Sequence, residues 1–182
     1  MEQESISDMF ANNEHYTAEY TGVREVSKYP KRHLALVTCM DTRLTEMATA
    51  ALGLADGDAN IIKVAGAEIT EPYGTVIRSL LIAVHTLGVT DIMIMAHTNC
   101  GAQHLQASEL IEQMRQAGIA EEVLANIADT GFALDSWLTG FGDLEASVHK
   151  SVELVRTHPL MPADIRVYGS IIDIQTGKLT QI

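Results

Sequence analysis

The chain has 182 residues, with 12 Lys and Arg against 24 Asp and Glu and a formal net charge of -12. A chain of that length buries a core without disulfide help and is most simply one domain spanning 1–182. The acidic balance argues against a nucleic-acid partner, because basic side chains hold the phosphates in such complexes. No apolar run approaches the roughly 18 residues of a membrane-spanning helix. The opening Met1-Glu2-Gln3-Glu4-Ser5 lacks the basic start and apolar core of a signal peptide. Together these predict a soluble, cytoplasmic protein without a membrane partner.

Ser5 to about Tyr20 has good helix formers, but Ile6, Met9, Phe10, Tyr16 and Tyr20 form only a loose apolar stripe. Such an arm, within 1–30, is marginal alone and needs something else to pack on. After the connector Tyr29-Pro30-Lys31-Arg32, Leu34 to Thr38 reads as a buried strand, and Leu44 to Leu52 as a short helix ended by Gly53. Asn60 to Val64 is a second strand closed by Ala65-Gly66. Val76, Leu80, Val84 and Leu87 recur at helical spacing, and Gly88 supplies the stop.

Asp91 to Ala96 is a third strand, apolar almost throughout, as in a sheet covered on both faces. Helices are predicted at Leu105 to Ala117 and Ala120 to Ala128. The Gly- and Asp-rich span Asp129 to Gly142, with the only Trp at 137, reads as a loop or partly ordered flap. Leu144, Val148, Val152 and Val155 mark another helix, and Ile165 to Ile172 a fourth strand. Asp173 to Lys178 then looks like a hairpin into a short antiparallel edge strand, Leu179 to Ile182. The alternation predicts an α/β fold: a central, mostly parallel sheet flanked by helices, an antiparallel C-terminal edge strand and an N-terminal helical arm.

Chemistry concentrates at two strand ends. The first strand runs into Cys39-Met40-Asp41-Thr42-Arg43, and the third into His97-Thr98-Asn99-Cys100-Gly101. Function in an open parallel sheet gathers outside the carboxyl ends of the strands. If these two strands are neighbours, both motifs open into one crevice. Cys39, His97 and Cys100 then offer two sulfurs and one imidazole, a shell suited to catalytic Zn2+ with a fourth position for water or for Asp41. Asp41 and Arg43, two apart, suit a charge-assisted pair that keeps the carboxylate ionised. Because two thiolates neutralise the metal, such a site should work best on the alkaline side of neutral, with Asp41 competing for the fourth position as pH falls.

The paired motif resembles the β-class carbonic anhydrases, particularly their short prokaryotic branch. The similarity extends to Lys63-Val64-Ala65-Gly66, Val76-Ile77-Arg78-Ser79, His158-Pro159-Leu160-Met161-Pro162 and the hairpin Ile171 to Gly177. The resemblance implies Zn2+ on Cys39, His97 and Cys100, and reversible hydration of carbon dioxide to bicarbonate by zinc-bound hydroxide. It also implies Asp41, held by Arg43, as the catalytic pair, with the Gly101 N–H and the Val64, Ala65 and Gly66 strand end at the substrate. The implied assembly is a homodimer or multiple of dimers, its N-terminal helices embracing the partner subunit. Where the family commonly has Asn and Asp, this chain has Val64 and Asn99; the first makes the pocket wall more apolar and the second removes a charge beside a ligand. Leu36 stands where bicarbonate-regulated members tend to carry Trp, which leans towards the constitutively open type.

Two other readings use the same residues. One keeps the zinc but attacks carbon disulfide or carbonyl sulfide. The other is a non-catalytic zinc- or bicarbonate-binding protein, against which the Asp41 and Arg43 pair argues. Cys39 or Cys100 alone would read as a buried core residue, and His15, His33, His85, His149 and His158 as surface or packing residues. His85 lies within an apolar helix, and His104 lies near enough to the second motif to relay protons.

Overall fold

The computed structural model describes residues 6–20 and 26–182. The readings of Met1–Ser5, and the part of the arm at 21–25, fall outside them. Five strands form one sheet in the order β2-β1-β3-β4-β5: β1 Leu34–Cys39, β2 Ala59–Val64, β3 Asp91–His97, β4 Arg166–Ile172 and β5 Leu179–Gln181. The first four run parallel and β5 is antiparallel, paired to β4 from Ile172↔Leu179 to Ser170↔Gln181. The predicted fold class is the one found.

The sheet forms because β1 and β3 carry apolar side chains on both faces. On one face Ala35, Val37, Ile92, Ile94 and Ala96 meet helix α3, Thr75–Leu87, through Ile77, Leu80 and Ala83, and helix α7, Leu144–Arg156, through Val148, Val152 and Val155. On the other, Leu36, Met95 and Ile172 meet Leu44 and Ala48 of helix α2, Leu44–Ala51. Burying each such aliphatic side chain contributes about 1.5 to 3 kcal/mol, so this sandwich is the rigid base of everything at its upper edge. Gly88, left-handed at φ 75, ends α3 and turns the chain into β3. Asp143 caps α7 by accepting from the Ala146 N–H at 2.7 Å.

The remaining helices lie over the carboxyl edge or outside the sheet: α1 Ile6–Glu19, α4 Ala107–Gln116, α5 Glu121–Asp129 and α6 Leu134–Leu138. None of the α1 residues is buried, and its apolar stripe is open. No described helix is long and apolar enough to cross a membrane. The span 129–142 differs from the predicted loop, since α6 forms within it and Gly140 to Gly142 are pinned to the segment after Cys100. The Gly140 N–H donates to Leu105 O at 2.9 Å, His104 N–H to Phe141 O at 2.8 Å, and Gln103 Nε2 to Gly142 O at 3.0 Å.

Candidate metal centre

Strands β1 and β3 are direct neighbours, Thr38 lying opposite Met95, so Cys39 and His97 end adjacent strands. Chains leave this point in opposite directions, β1 towards β2 and β3 towards β4, which leaves a crevice at the sheet edge. Cys39, His97 and Cys100 meet there, all three buried, with their ligand atoms within 4.8 Å of one another. The two sulfurs stand 3.8 Å apart. Two thiolates each about 2.3 Å from one tetrahedral ion would be separated by about 3.8 Å, so the spacing suits shared zinc, whereas a disulfide needs about 2.05 Å.

The imidazole is prepared in the same sense. His97 is fully buried, and its Nδ1–H donates to Thr98 O at 2.9 Å, because a carbonyl can only accept. That leaves Nε2 with its lone pair, and among the described residues it is a buried atom without a hydrogen-bond partner. Burial lowers the His97 pKa, which keeps the ring neutral and able to ligate. Burial also raises the Cys100 thiol. The Arg43 guanidinium, whose charge reaches both sulfurs, is paired with Asp41, so a divalent cation would supply the charge that two thiolates and the unpartnered ring nitrogen call for. The residues present therefore fit zinc.

Beyond β1, Asp41 opens the turn through Thr42 and Arg43 into α2, its carbonyl accepting from the Leu44 N–H at 3.1 Å. Asp41 Oδ1 accepts from Arg43 N–H and Nε, each at 2.9 Å, and Oδ2 accepts from Arg43 Nη2 at 2.7 Å. Those bonds hold the Asp41 carboxyl far below the usual carboxylate range, and the same pairing raises Arg43. Asp41 Oδ2 lies 3.8 Å from His97 Nε2, so the carboxylate borders the ligand cluster. Lys63 Nζ, reaching from β2, bonds Asp41 O at 3.3 Å.

Of the other sequence-derived positions, Val64 and Ala65 line an open cleft of about 780 Å³ together with Val76, Phe132 and Trp137. Gly66 is buried instead of facing that cleft. At φ 67, a Cβ there would lie 2.8 Å from the Phe141 ring and 3.3 Å from Ala102 Cβ. Gly101 is exposed, and nothing lies within 4 Å of where its Cβ would be. His85 is an exposed residue whose Nε2 bonds Leu160 O, as its reading as a surface residue expected. His158 is a packing residue, buried with Nε2 2.7 Å from Pro72 O.

Sequence reasoning passed over Phe141, and named Asn99 and Lys63 without the contacts that they make to Arg43 and Asp41. Phe141 packs in the same apolar cluster as Cys39 and Cys100. Its signal was the flanking pair Gly140 and Gly142; a Cβ at Gly140 would lie 1.8 Å from Ala102 O, so the backbones touch only with glycine there.

Residues 34–179 match the family model described as carbonic anhydrase. The crystal structure of β-carbonic anhydrase isoform I from Trichomonas vaginalis superposes with TM-score 0.88 at 34% identity, covering 99% of this chain and 98% of that one. This chain belongs to the β-class carbonic anhydrases, of the short prokaryotic type. YvdA of Bacillus subtilis (strain 168) is 39% identical over 177 residues, covering 96% of this chain and 89% of that protein. A carbon disulfide hydrolase of Acidithiobacillus thiooxidans is 29% identical over 156 residues, covering 81% of this chain and 76% of the hydrolase. Family membership supports an enzyme of the lyase type that uses zinc, and Cys39, His97 and Cys100 form the group able to take it.

Proposed function

We propose that the chain hydrates carbon dioxide reversibly to bicarbonate, with Cys39, His97 and Cys100 holding Zn2+ and Asp41 and Arg43 as the catalytic pair. The observation that carries this reading is the convergence of an ion pair on a metal-ligand cluster, Asp41 Oδ2 lying 3.8 Å from His97 Nε2. Zinc held there supplies the Lewis acidity that makes water a nucleophile near neutral pH.

The chain's own residues do the rest. Thr98 O fixes the His97 tautomer, so that Nε2 faces the cluster. A general base works best with a pKa near the operating pH, and Asp41 sits far below that. Its role is therefore to accept a hydrogen bond from the attacking water and aim it, rather than to store the proton. Arg43 occupies both carboxylate oxygens, which supports an arrangement with Asp41 held off the metal. In this reading Val64, paired in register with Cys39, supplies an apolar wall beside a small linear substrate, and the Gly101 N–H donates to a substrate oxygen.

Two observations favour a second reading, hydrolysis of carbon disulfide or carbonyl sulfide: the apolar Val64 in the cleft wall and the similarity to a carbon disulfide hydrolase. Side-by-side rates on carbon dioxide, carbonyl sulfide and carbon disulfide separate the two. Faster turnover of carbon dioxide supports the first, and negligible hydration of it beside measurable sulfide release replaces it with the second.

We further infer a homodimer, or a multiple of dimers, in which α1 packs on the partner subunit. Within its own chain the helix buries nothing, while Ile6, Met9 and Phe10 are all exposed. A helix of that length is not stable unsupported in water.

A further inference from the structure

Asn99 lies between His97 and Cys100, and its backbone is left-handed at φ 54. The residue before it is fixed from two sides. The Thr98 N–H donates to Ile172 O at 3.1 Å, and Thr98 Oγ1 accepts from the Ile174 N–H at 3.0 Å. From that fixed point the left-handed residue reverses the chain. Cys100 returns to within 3.8 Å of Cys39, and Asn99 O meets Arg43 Nη2 at 3.0 Å.

The same nitrogen donates to Asp41 Oδ2 at 2.7 Å. A guanidinium is a rigid planar fork, so its grip on Asp41 fixes the two groups relative to each other. Across the crevice to the loop of His97 and Cys100, the hydrogen bond that the pair makes among the described residues is the one from Arg43 Nη2 to Asn99 O. The bond to Asn99 O ties that turn to the loop carrying His97 and Cys100. The contact uses the main-chain carbonyl, and Asn99 itself is exposed.

We propose that Asn99 is a positioning residue: its left-handed backbone presents a carbonyl that locks the Arg43–Asp41 pair to the loop holding two of the candidate metal ligands. This rests on the reading of Asp41 and Arg43 as the catalytic pair. Asn, Asp and Gly enter the left-handed region at small cost, while β-branched residues strain there. What position 99 must supply is therefore a backbone conformation, which Gly and Asp also supply.

The test compares zinc-loaded wild type with Asn99→Gly, Asn99→Asp and Asn99→Val, each also combined with Arg43→Ala. Asn99→Ala, a milder form of the same strain, serves if the Val variant does not accumulate. Three quantities are measured: zinc per chain, carbon dioxide hydration, and the nitrogen-15 NMR signal of the Arg43 Nη2–H group that donates to Asn99 O. Asn99→Gly and Asn99→Asp should keep the signal and near wild-type turnover. Asn99→Val should lose the signal and about tenfold or more in kcat, with KM little changed and zinc retained. It should have no further effect once Arg43 is Ala.

Loss of zinc together with activity in Asn99→Val would assign the turn to ligand placement and overturn the proposal. So would equal damage from Asn99→Gly, or an effect that persists without Arg43. Absence of carbon dioxide hydration in wild type would defeat the functional reading alone, since the NMR comparison still decides whether Asn99 holds Arg43.

Discussion

The Sγ atoms of Cys39 and Cys100, 61 residues apart in the chain, stand 3.8 Å from each other in a buried pocket, with an unpartnered His97 Nε2 completing the group. That relationship predicts one zinc per chain. Cys39→Ser and Cys100→Ser should each lose it, as read by atomic emission on dialysed protein. Metal removal from wild type should lower the thermal midpoint, since a ligand at a thousandfold its Kd stabilises the native state by about 4 kcal/mol. Equal stability with and without zinc would contradict this.

Asp41 is engaged by three hydrogen bonds from Arg43 and kept ionised far below neutral pH. Asp41→Asn should therefore reduce kcat by about a hundredfold or more at every pH assayed, with zinc content unchanged. If Asp41 instead stored a proton, the wild-type profile would carry a limb from its titration that the substitution removes. Steady-state rates from pH 6 to 9 separate the two outcomes.

Phe141 is buried against Gly66, Ala102 and the cysteine cluster. Phe141→Ala should destabilise the protein by about 3 to 5 kcal/mol, and Phe141→Leu by less. Urea unfolding of the zinc-loaded forms checks this, and near-equal midpoints would show that the 129–142 segment does not hold the pocket closed.

How much of this was legible in the sequence differs from one feature to the next. Strands β1 and β3 were legible because continuous apolar runs end abruptly in polar residues, and the two motifs stand at those ends. The neighbouring of the strands rested on a topological rule, which the β2-β1-β3-β4-β5 order bears out. The 129–142 span was not legible: its Gly and Asp residues signal turns, but their use is a close backbone approach to Ala102, a contact between distant segments. Asn99 was noted only for the charge it lacks, because no side-chain pattern reveals a left-handed backbone or the carbonyl it turns towards Arg43.

At the opposite edge of the sheet, Arg166 pairs with Asp91 through both carboxylate oxygens and holds the Asp91 carboxyl at about 2, against an ordinary 3.8. A depressed carboxylate pKa contributes stability above the unfolded value and loses it as pH falls through the folded one. Asp91→Asn should thus cost up to about 1 kcal/mol at pH 7, given the solvent exposure of Arg166. The gap should close between about pH 4 and pH 2. Urea midpoints across that range test the sign, and a gap that widens in acid would contradict it.

The exposed stripe on α1 predicts that a chain lacking residues 1–20 sediments as a monomer where the full chain is dimeric or larger. Unchanged mass on truncation would place the interface elsewhere.

The central claim is tested most directly by stopped-flow hydration of carbon dioxide across pH, on protein of measured zinc content. Turnover should scale with zinc occupancy, rise towards the alkaline side of neutral and fall by about a hundredfold or more in Asp41→Asn. Fully zinc-loaded protein that leaves carbon dioxide hydration at the uncatalysed rate at every pH would contradict it.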